Sequence, residues 1–253
     1  MTPLYLGTNE RRIFGIYEPP ATRANRARAA VLCNPWGSEY VHAHRSLRQL
    51  ATKLAACGYH TLRFDFFGTG DSGGDMSEAD LAGWEADAVS AIEEIKDIAG
   101  TARVSVIGLR LGASVAAAAA ARLADQVEAL VMWDPIVSGD DYLRSLLAAS
   151  PPTLVAGDSG AAEVDGFILT QIMMRQLKAI DLRGVIVAPP SRSFVLVTER
   201  LALHDGLDVV ATLPGRKPLV MEFLPTPCPW VESATTTGVV PVHAIQRIAE
   251  WLG

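Results

Sequence analysis

The stretch Val104-Ser105-Val106-Ile107-Gly108-Leu109-Arg110-Leu111-Gly112-Ala113 runs a β-branched strand into two glycines, and then into the alanine run Ala116 to Ala121. A short apolar strand, a glycine-bracketed turn and an alanine-rich helix make one βα unit, and a strand this apolar belongs in a sheet buried on both faces. The residue at the apex of the turn is Arg110. Its guanidinium is permanently protonated, so it can hold or polarise an anion but cannot act as a nucleophile.

The same pattern repeats on either side. Residues 12 to 18 and 29 to 34 read as strands separated by the Pro/Arg/Ala-rich loop 19 to 28, and a helix follows from about Val41 to Cys57 with Gly58 as its stop. Strand 61 to 65 leads into the loop Gly68-Thr69-Gly70-Asp71-Ser72-Gly73-Gly74. The next helix has Ser77 as its expected N-cap, with Leu81, Trp84, Ala88, Ile92 and Ile95 at helical spacing and Gly100 at its end. After strand 103 to 107 and the alanine helix comes strand 127 to 133, ending at Asp134-Pro135. Strands resume at 193 to 198 and 218 to 223, and a helix from Pro241 to Leu252 closes the chain. Repeated βα units with short apolar strands imply an α/β fold, a mostly parallel central sheet with helices on both faces. The alternation stops at 138 to 182, where helical patterns at 142 to 149 and 169 to 180 come with no convincing strand. That insertion reads as a small cap over the strand ends, within a single domain spanning 1 to 253.

Twenty-eight acidic against 22 basic residues, a formal net charge of -6, argue against a nucleic-acid binder, which normally carries a basic face. Cys33, Cys57 and Cys228 are odd in number and widely spaced, and they read as core thiols of a reduced compartment. Met1 to Glu18 has no basic segment followed by an apolar one, and no run of about 18 apolar residues occurs. A cytoplasmic protein without a membrane span is expected.

Three stretches carry a family resemblance: Cys33-Asn34-Pro35-Trp36-Gly37-Ser38-Glu39-Tyr40, Phe64-Asp65-Phe66-Phe67-Gly68-Thr69-Gly70-Asp71-Ser72, and Gly108 to Ala113. Together they resemble the α/β-hydrolase superfamily in its serine-aminopeptidase-like branch, over about residues 28 to 252. A closer likeness is to proteins of the exosortase A system-associated hydrolase 2 type, which also read Gly-Leu-Arg-Leu-Gly-Ala at this turn. The resemblance implies an α/β-hydrolase fold in which the turn is the nucleophile elbow, G-x-S-x-G, with Arg110 at the serine position. It places the acid after strand 193 to 198, where Glu199 and Asp205 stand, or after the preceding strand, at Asp134. It places the histidine between the last strand and helix, yet 225 to 240 contains none and His243 lies two residues into the helix. It also makes the 34 to 40 loop the oxyanion-hole position, with Trp36 and Gly37 as amide donors.

Two readings of Arg110 follow. One is a salt bridge to Asp134 or Glu39, since a buried guanidinium needs a carboxylate or several carbonyl acceptors. The other is an anion clamp, in which Arg110, the amide of Leu111 at the helix start and the amides of the 34 to 39 loop hold a carboxylate, phosphate or enolate. Asp134 and His243 are then the candidate proton carriers, with Glu39 as neutraliser or base. His44 follows the loop and is a candidate binding residue; His42, two positions earlier, faces elsewhere, so the two make a poor metal pair. His60 and His204 read as loop or surface residues, and Trp84 and Trp133 as core. The glycine loop at 68 to 74 lacks the Lys-Ser/Thr of a phosphate loop and reads as a tight turn, which leaves Ser72 without a base. Phe167 to Ile180, with Met173 and Met174, would line an apolar underside of the cap suited to an acyl chain. The expected ligand is a small-molecule or carrier-bound acyl compound, with no metal or organic cofactor implied. It is either processed without a serine acyl-enzyme or, in a pseudo-hydrolase, held for a partner protein.

Overall fold

A computed structural model describes residues 1–22, 27–149, 153–154, 160–185, 192–199, 204, 206–207, 219–230 and 239–253. Among them, eight strands form one sheet: β1 (Thr2–Gly7), β2 (Arg12–Glu18), β3 (Arg28–Cys33), β4 (Tyr59–Phe64), β5 (Val104–Leu109), β6 (Val127–Trp133), β10 (Arg192–Val197) and β11 (Leu219–Phe223), in the order β1-β2-β4-β3-β5-β6-β10-β11. β1 and β2 run antiparallel to their neighbours and the remaining strands are parallel.

Alternate residues of the central strands feed two cores. Val31, Val106, Leu130 and Val195 face α2 (Leu81–Ala99) and α3 (Leu111–Arg122). Leu32, Ile107, Val131 and Leu196 face α1 (Ser38–Ala56) and the C-terminal helix, α7 (Val242–Leu252). Every residue of β5 is buried, as a central parallel strand covered on both sides requires. Trp84 and Trp133 are core residues, as their periodicity implies.

β1 was not anticipated; of its six residues only Leu6 is buried, so the edge strand carries almost no hydrophobic pattern. Ser77 does not cap α2. It sits in a 3-10 turn, Met76–Glu78, closed by a capping box between Asp75 and Glu78, and the cap of α2 is Asp80, whose carboxylate accepts from Gly83 N at 2.6 Å. Cys57 is exposed, and only Cys33 and Cys228 are buried thiols. His60 is half-buried in β4, with Nδ1 2.7 Å from the Tyr17 hydroxyl, and His204 is 2% exposed; neither is a surface residue.

The insertion between β6 and β10 holds α4 (Gly139–Ala149), β7 (Thr153–Leu154), β8 (Ala162–Val164), β9 (Phe167–Leu169), α5 (Gln171–Lys178) and α6 (Leu182–Val185). β7, β8 and β9 form a small antiparallel sheet where no strand was expected, their two- and three-residue lengths being too short for a periodicity to show. The insertion leaves and returns at one point, for Gly139 N donates to Ile180 O at 3.0 Å and Leu182 N to Val137 O at 2.9 Å. Met173 and Leu177 are buried in the core next to α2 and α3, and Phe167 is half-buried against Trp36.

Candidate functional site

The turn between β5 and α3 is sharp because two glycines let the backbone close on itself. A Cβ at Gly108 would lie 2.3 Å from Gly112 O, and one at Gly112 would lie 2.3 Å from Asn34 O. Between them Arg110 adopts φ 54° and ψ -122°, a region that costs a non-glycine residue on the order of 1–3 kcal/mol. Arg110 N donates to Trp133 O at 3.0 Å and Ala113 N to Arg110 O at 3.0 Å, which fixes the apex between β6 and the first turn of α3.

The strained backbone aims the guanidinium at the loop after β3. Arg110 Nε donates to Glu39 Oε1 at 2.9 Å, and Nη1 makes a long 3.4 Å contact with the backbone oxygen of Asp134. Glu39 lies in the first turn of α1, which starts at Gly37 (φ 68°) with no capping side chain. Its other oxygen accepts from the Tyr142 hydroxyl of α4 at 3.3 Å, and the Arg110 Cζ stands 5.9 Å from the centre of the Tyr142 ring. One ion pair therefore links elbow, loop and insertion. The side chain of Arg110 is 20% exposed and that of Glu39 10%. Burial raises the proton affinity of Glu39, and Arg110 and Tyr142 only partly offset it. Burial alone would loosen the Arg110 proton, but Glu39, Tyr142 and Asp134 together outweigh that effect and the guanidinium stays charged.

Asp134 faces away from this pair. With φ 44° at the end of β6, its Oδ1 accepts from Thr198 N at 2.6 Å, and its Oδ2 accepts from Thr198 Oγ1 at 2.5 Å and from Trp230 Nε1 at 3.0 Å. Burial raises its proton affinity against those three donors. The Cys228 thiol donates to Thr198 Oγ1 at 3.1 Å, and burial pushes its pKa up to about 12, which disfavours the thiolate.

The sequence candidates thus fall into groups. Arg110 and Glu39 meet, Leu111 is buried at the start of α3, and Trp36 and Gly37 form the loop that precedes Glu39. Asp134 reaches Arg110 only through its backbone oxygen. His243 is exposed in the first turn of α7 and has no hydrogen bond or ion pair among the described residues. His44 is exposed, its Nδ1 lies 2.7 Å from Val41 O, and it lines a groove with Tyr40, Arg63 and Asp65. Glu199 is exposed just beyond β10, and Asp205 lies outside the described residues. Ser72 is engaged in the glycine turn, where its hydroxyl donates to Asp65 O at 2.6 Å and accepts from Phe14 N at 2.8 Å. Tyr142, Thr198 and Trp230 were not anticipated. Each is brought in from a distant segment, and only a partner already placed in space could have marked it.

No group of three or more His, Cys, Asp or Glu side chains is arranged to hold a metal among the described residues, and no helix among them is long and apolar enough to cross a membrane.

The model of the family described as serine aminopeptidase, S33, matches residues 26–180. No curated protein matches the chain. Among solved structures, ferulic acid-bound Est1E from Butyrivibrio proteoclasticus is 15% identical with a TM-score of 0.75, over 98% of this chain and 97% of that one. Mouse alpha/beta hydrolase domain-containing protein 10 is 13% identical with a TM-score of 0.65, over 100% and 98%. The Pyrococcus furiosus esterase Pf2001 is 15% identical with a TM-score of 0.64, over 99% and 89%. These likenesses show the α/β-hydrolase fold, with its mostly parallel sheet and flanking helices. The family match covers more than half of the sequence, and the chain belongs to the serine aminopeptidase family of α/β-hydrolases.

Proposed function

We propose that the protein acts on a small acyl compound, an ester, thioester or related carbonyl metabolite, at the Arg110 edge without forming a serine acyl-enzyme. The observation that carries the reading is the side chain at the apex of the elbow: a guanidinium paired with Glu39 at 2.9 Å, where the resemblance puts a serine nucleophile. Because Glu39 neutralises Arg110, the pair presents N–H donors without net charge. A carbonyl oxygen therefore suits it better than the free anion for which an unpaired arginine would be the clamp. The amides of Trp36, Gly37 and Leu111 are the candidate further donors. Glu39, whose proton affinity burial raises, is the proton-transfer group in contact with the guanidinium and the candidate base for an attacking water. The likeness to exosortase-associated proteins supports a biosynthetic acyl ligand, and the insertion serves as cap of a single domain.

The second reading is a pseudo-hydrolase that holds the same class of compound for a partner protein. It is favoured by the Asp134 carboxylate being engaged by Thr198 and Trp230 while His243 is exposed, so that these two candidates are not joined as an acid–histidine pair.

A panel of acyl thioesters and p-nitrophenyl esters, run against wild type, Arg110→Ala and Glu39→Gln, tests both. Wild-type turnover that falls in both variants supports the enzyme. Thermal stabilisation of wild type by the same compounds, without turnover and lost in Arg110→Ala, supports the binder. Stoichiometric labelling of a serine by a fluorophosphonate overturns both.

A further inference from the structure

Beside the Trp36–Gly37 loop, three segments distant in sequence converge on a cleft of about 310 Å³. They are the loop after β3 with the first turn of α1, the glycine loop after β4 with Met76, and Phe167 of β9. Its polar side chains are already engaged within the protein. The Tyr40 hydroxyl donates to Asp65 Oδ1 at 2.9 Å, Thr69 Oγ1 to Phe66 O at 2.7 Å, and Ser72 Oγ to Asp65 O at 2.6 Å. Asp75 Oδ1 accepts from Ser77 N at 2.9 Å.

Apart from glycine backbone and the exposed Asp75 carboxylate, what faces the cleft is mostly hydrocarbon and ring. Trp36 and Phe167 meet edge to face with centroids 5.8 Å apart, Met76 is half-buried, and Val41 is 50% exposed although it is a large apolar side chain on an otherwise amphipathic helix. Space is open at Gly37 as well, where an added Cβ would meet only Phe167 Cδ2, at 3.9 Å. A concave site with apolar walls and few unengaged polar groups selects an uncharged apolar group, because burying a polar one there would leave it unpaired.

We propose that this cleft is an apolar subsite that takes the aryl or short alkyl end of the ligand. Gly37, in its wall, stands two residues before Glu39, the partner of Arg110. A single loop therefore serves the hydrocarbon end on one side and the carbonyl end on the other, and in that respect the inference rests on the acyl reading of the Arg110 site. The chemical class it names is an acyl compound with a compact uncharged aryl or alkyl group, and a short hydrophilic acyl donor would leave the cleft unfilled.

The test is the 19F linewidth of 4-fluorotoluene, a neutral probe with no group for Arg110, in the presence of wild type, Val41→Glu, Val41→Trp and Arg110→Ala. Val41 is exposed, so its two variants should keep the wild-type melting temperature; one sets a charge at the mouth and the other fills it. The expected result is broadening with wild type and Arg110→Ala and a sharp line with both Val41 variants. Methyl benzoate should sharpen the wild-type line at concentrations where methyl acetate does not. A sharp line with wild type, or broadening that survives both Val41 variants, overturns the proposal; the second result would move the probe elsewhere, for instance to the groove between α2, α3 and α6. Failure of the acyl reading has another signature: the probe pattern stays intact, which supports the cleft, while ester turnover and ester stabilisation are indifferent to Arg110→Ala.

Discussion

Arg110 and Glu39, 71 residues apart in the chain, share a hydrogen-bonded ion pair of 2.9 Å at the point where β5 turns into α3 and α1 begins. Neither side chain is fully exposed, and each is the other's only charged contact within hydrogen-bonding distance among the described residues. Removing one partner of a buried pair leaves the other as an uncompensated charge, which is typically worth roughly 3–5 kcal/mol, and the residual exposure here favours the lower end. Arg110→Ala should therefore lose about 3 kcal/mol of unfolding free energy in urea. Arg110→Ala with Glu39→Ala should lose clearly less than the sum of the two single losses. Additive losses would mean that the pair contributes nothing beyond its packing.

The pH dependence of that contribution has a definite sign. A carboxyl whose proton affinity is raised by folding binds more protons in the folded state. Its stabilising contribution is complete below the unfolded value of about 4.3 and is lost as pH rises through the higher folded value. Glu39 is such a group, raised first by burial. Glu39→Gln cannot ionise, so the difference in melting temperature between variant and wild type should shift in favour of the variant as pH rises from about 4, and then level off. Asp65, Asp87 and Asp134 are also raised by burial, but they are common to both proteins and cancel in the difference. A difference that is flat with pH, or that moves the other way, would contradict the assignment.

Asp134 makes a separate prediction, because its carboxylate ties β6 to Thr198, just beyond β10, and to Trp230, beyond β11. Hydrogen bonds to a charged acceptor are worth roughly 1.5–3 kcal/mol each. Thr198→Val removes one donor and Trp230→Phe another, and each should cost about that much in denaturant titrations. If Asp134 instead serves as a proton carrier, Asp134→Asn would reduce turnover by a factor that its lost stability does not explain, at temperatures well below its melting transition.

The sheet was legible because its central strands are continuous apolar runs flanked by glycine and helical patterns, the signature of strands buried on both faces. β1 was not, since an exposed edge strand with Leu6 as its one buried residue has nothing to alternate. The elbow could be read from Gly108 and Gly112, whose missing side chains make room for Gly112 O and Asn34 O. Glu39 and Asp134 were both eligible partners for Arg110, and the choice lay in backbone that composition does not encode. The left-handed φ of 44° at Asp134 turns its carboxylate toward Thr198 and leaves only its carbonyl for the arginine. Tyr142 was invisible for a different reason: a contact spanning 103 residues between an insertion and a loop leaves no local pattern.

Arg110→Ser would put a hydroxyl at the strained apex, in the place the family resemblance gives to the nucleophile. A serine hydroxyl needs an adjacent base to attack, and positioned proton transfer contributes typically 10²–10⁴-fold. Neither histidine singled out as a candidate is placed to serve it: His243 is exposed on α7 and His44 lines the groove beside Arg63, while the Asp134 carboxylate is held by Thr198 and Trp230. The substitution would also remove from Glu39 the cation that partly offsets its burial, which shifts this carboxyl further toward its protonated form, and a protonated carboxyl cannot take the hydroxyl proton. Arg110→Ser is therefore expected to show no gain in p-nitrophenyl ester turnover over wild type and no stoichiometric fluorophosphonate labelling, together with a lowered melting temperature. A gain of turnover with labelling at position 110 would mean that a base is within reach of the apex, and that this single arginine is all that separates the site from serine catalysis.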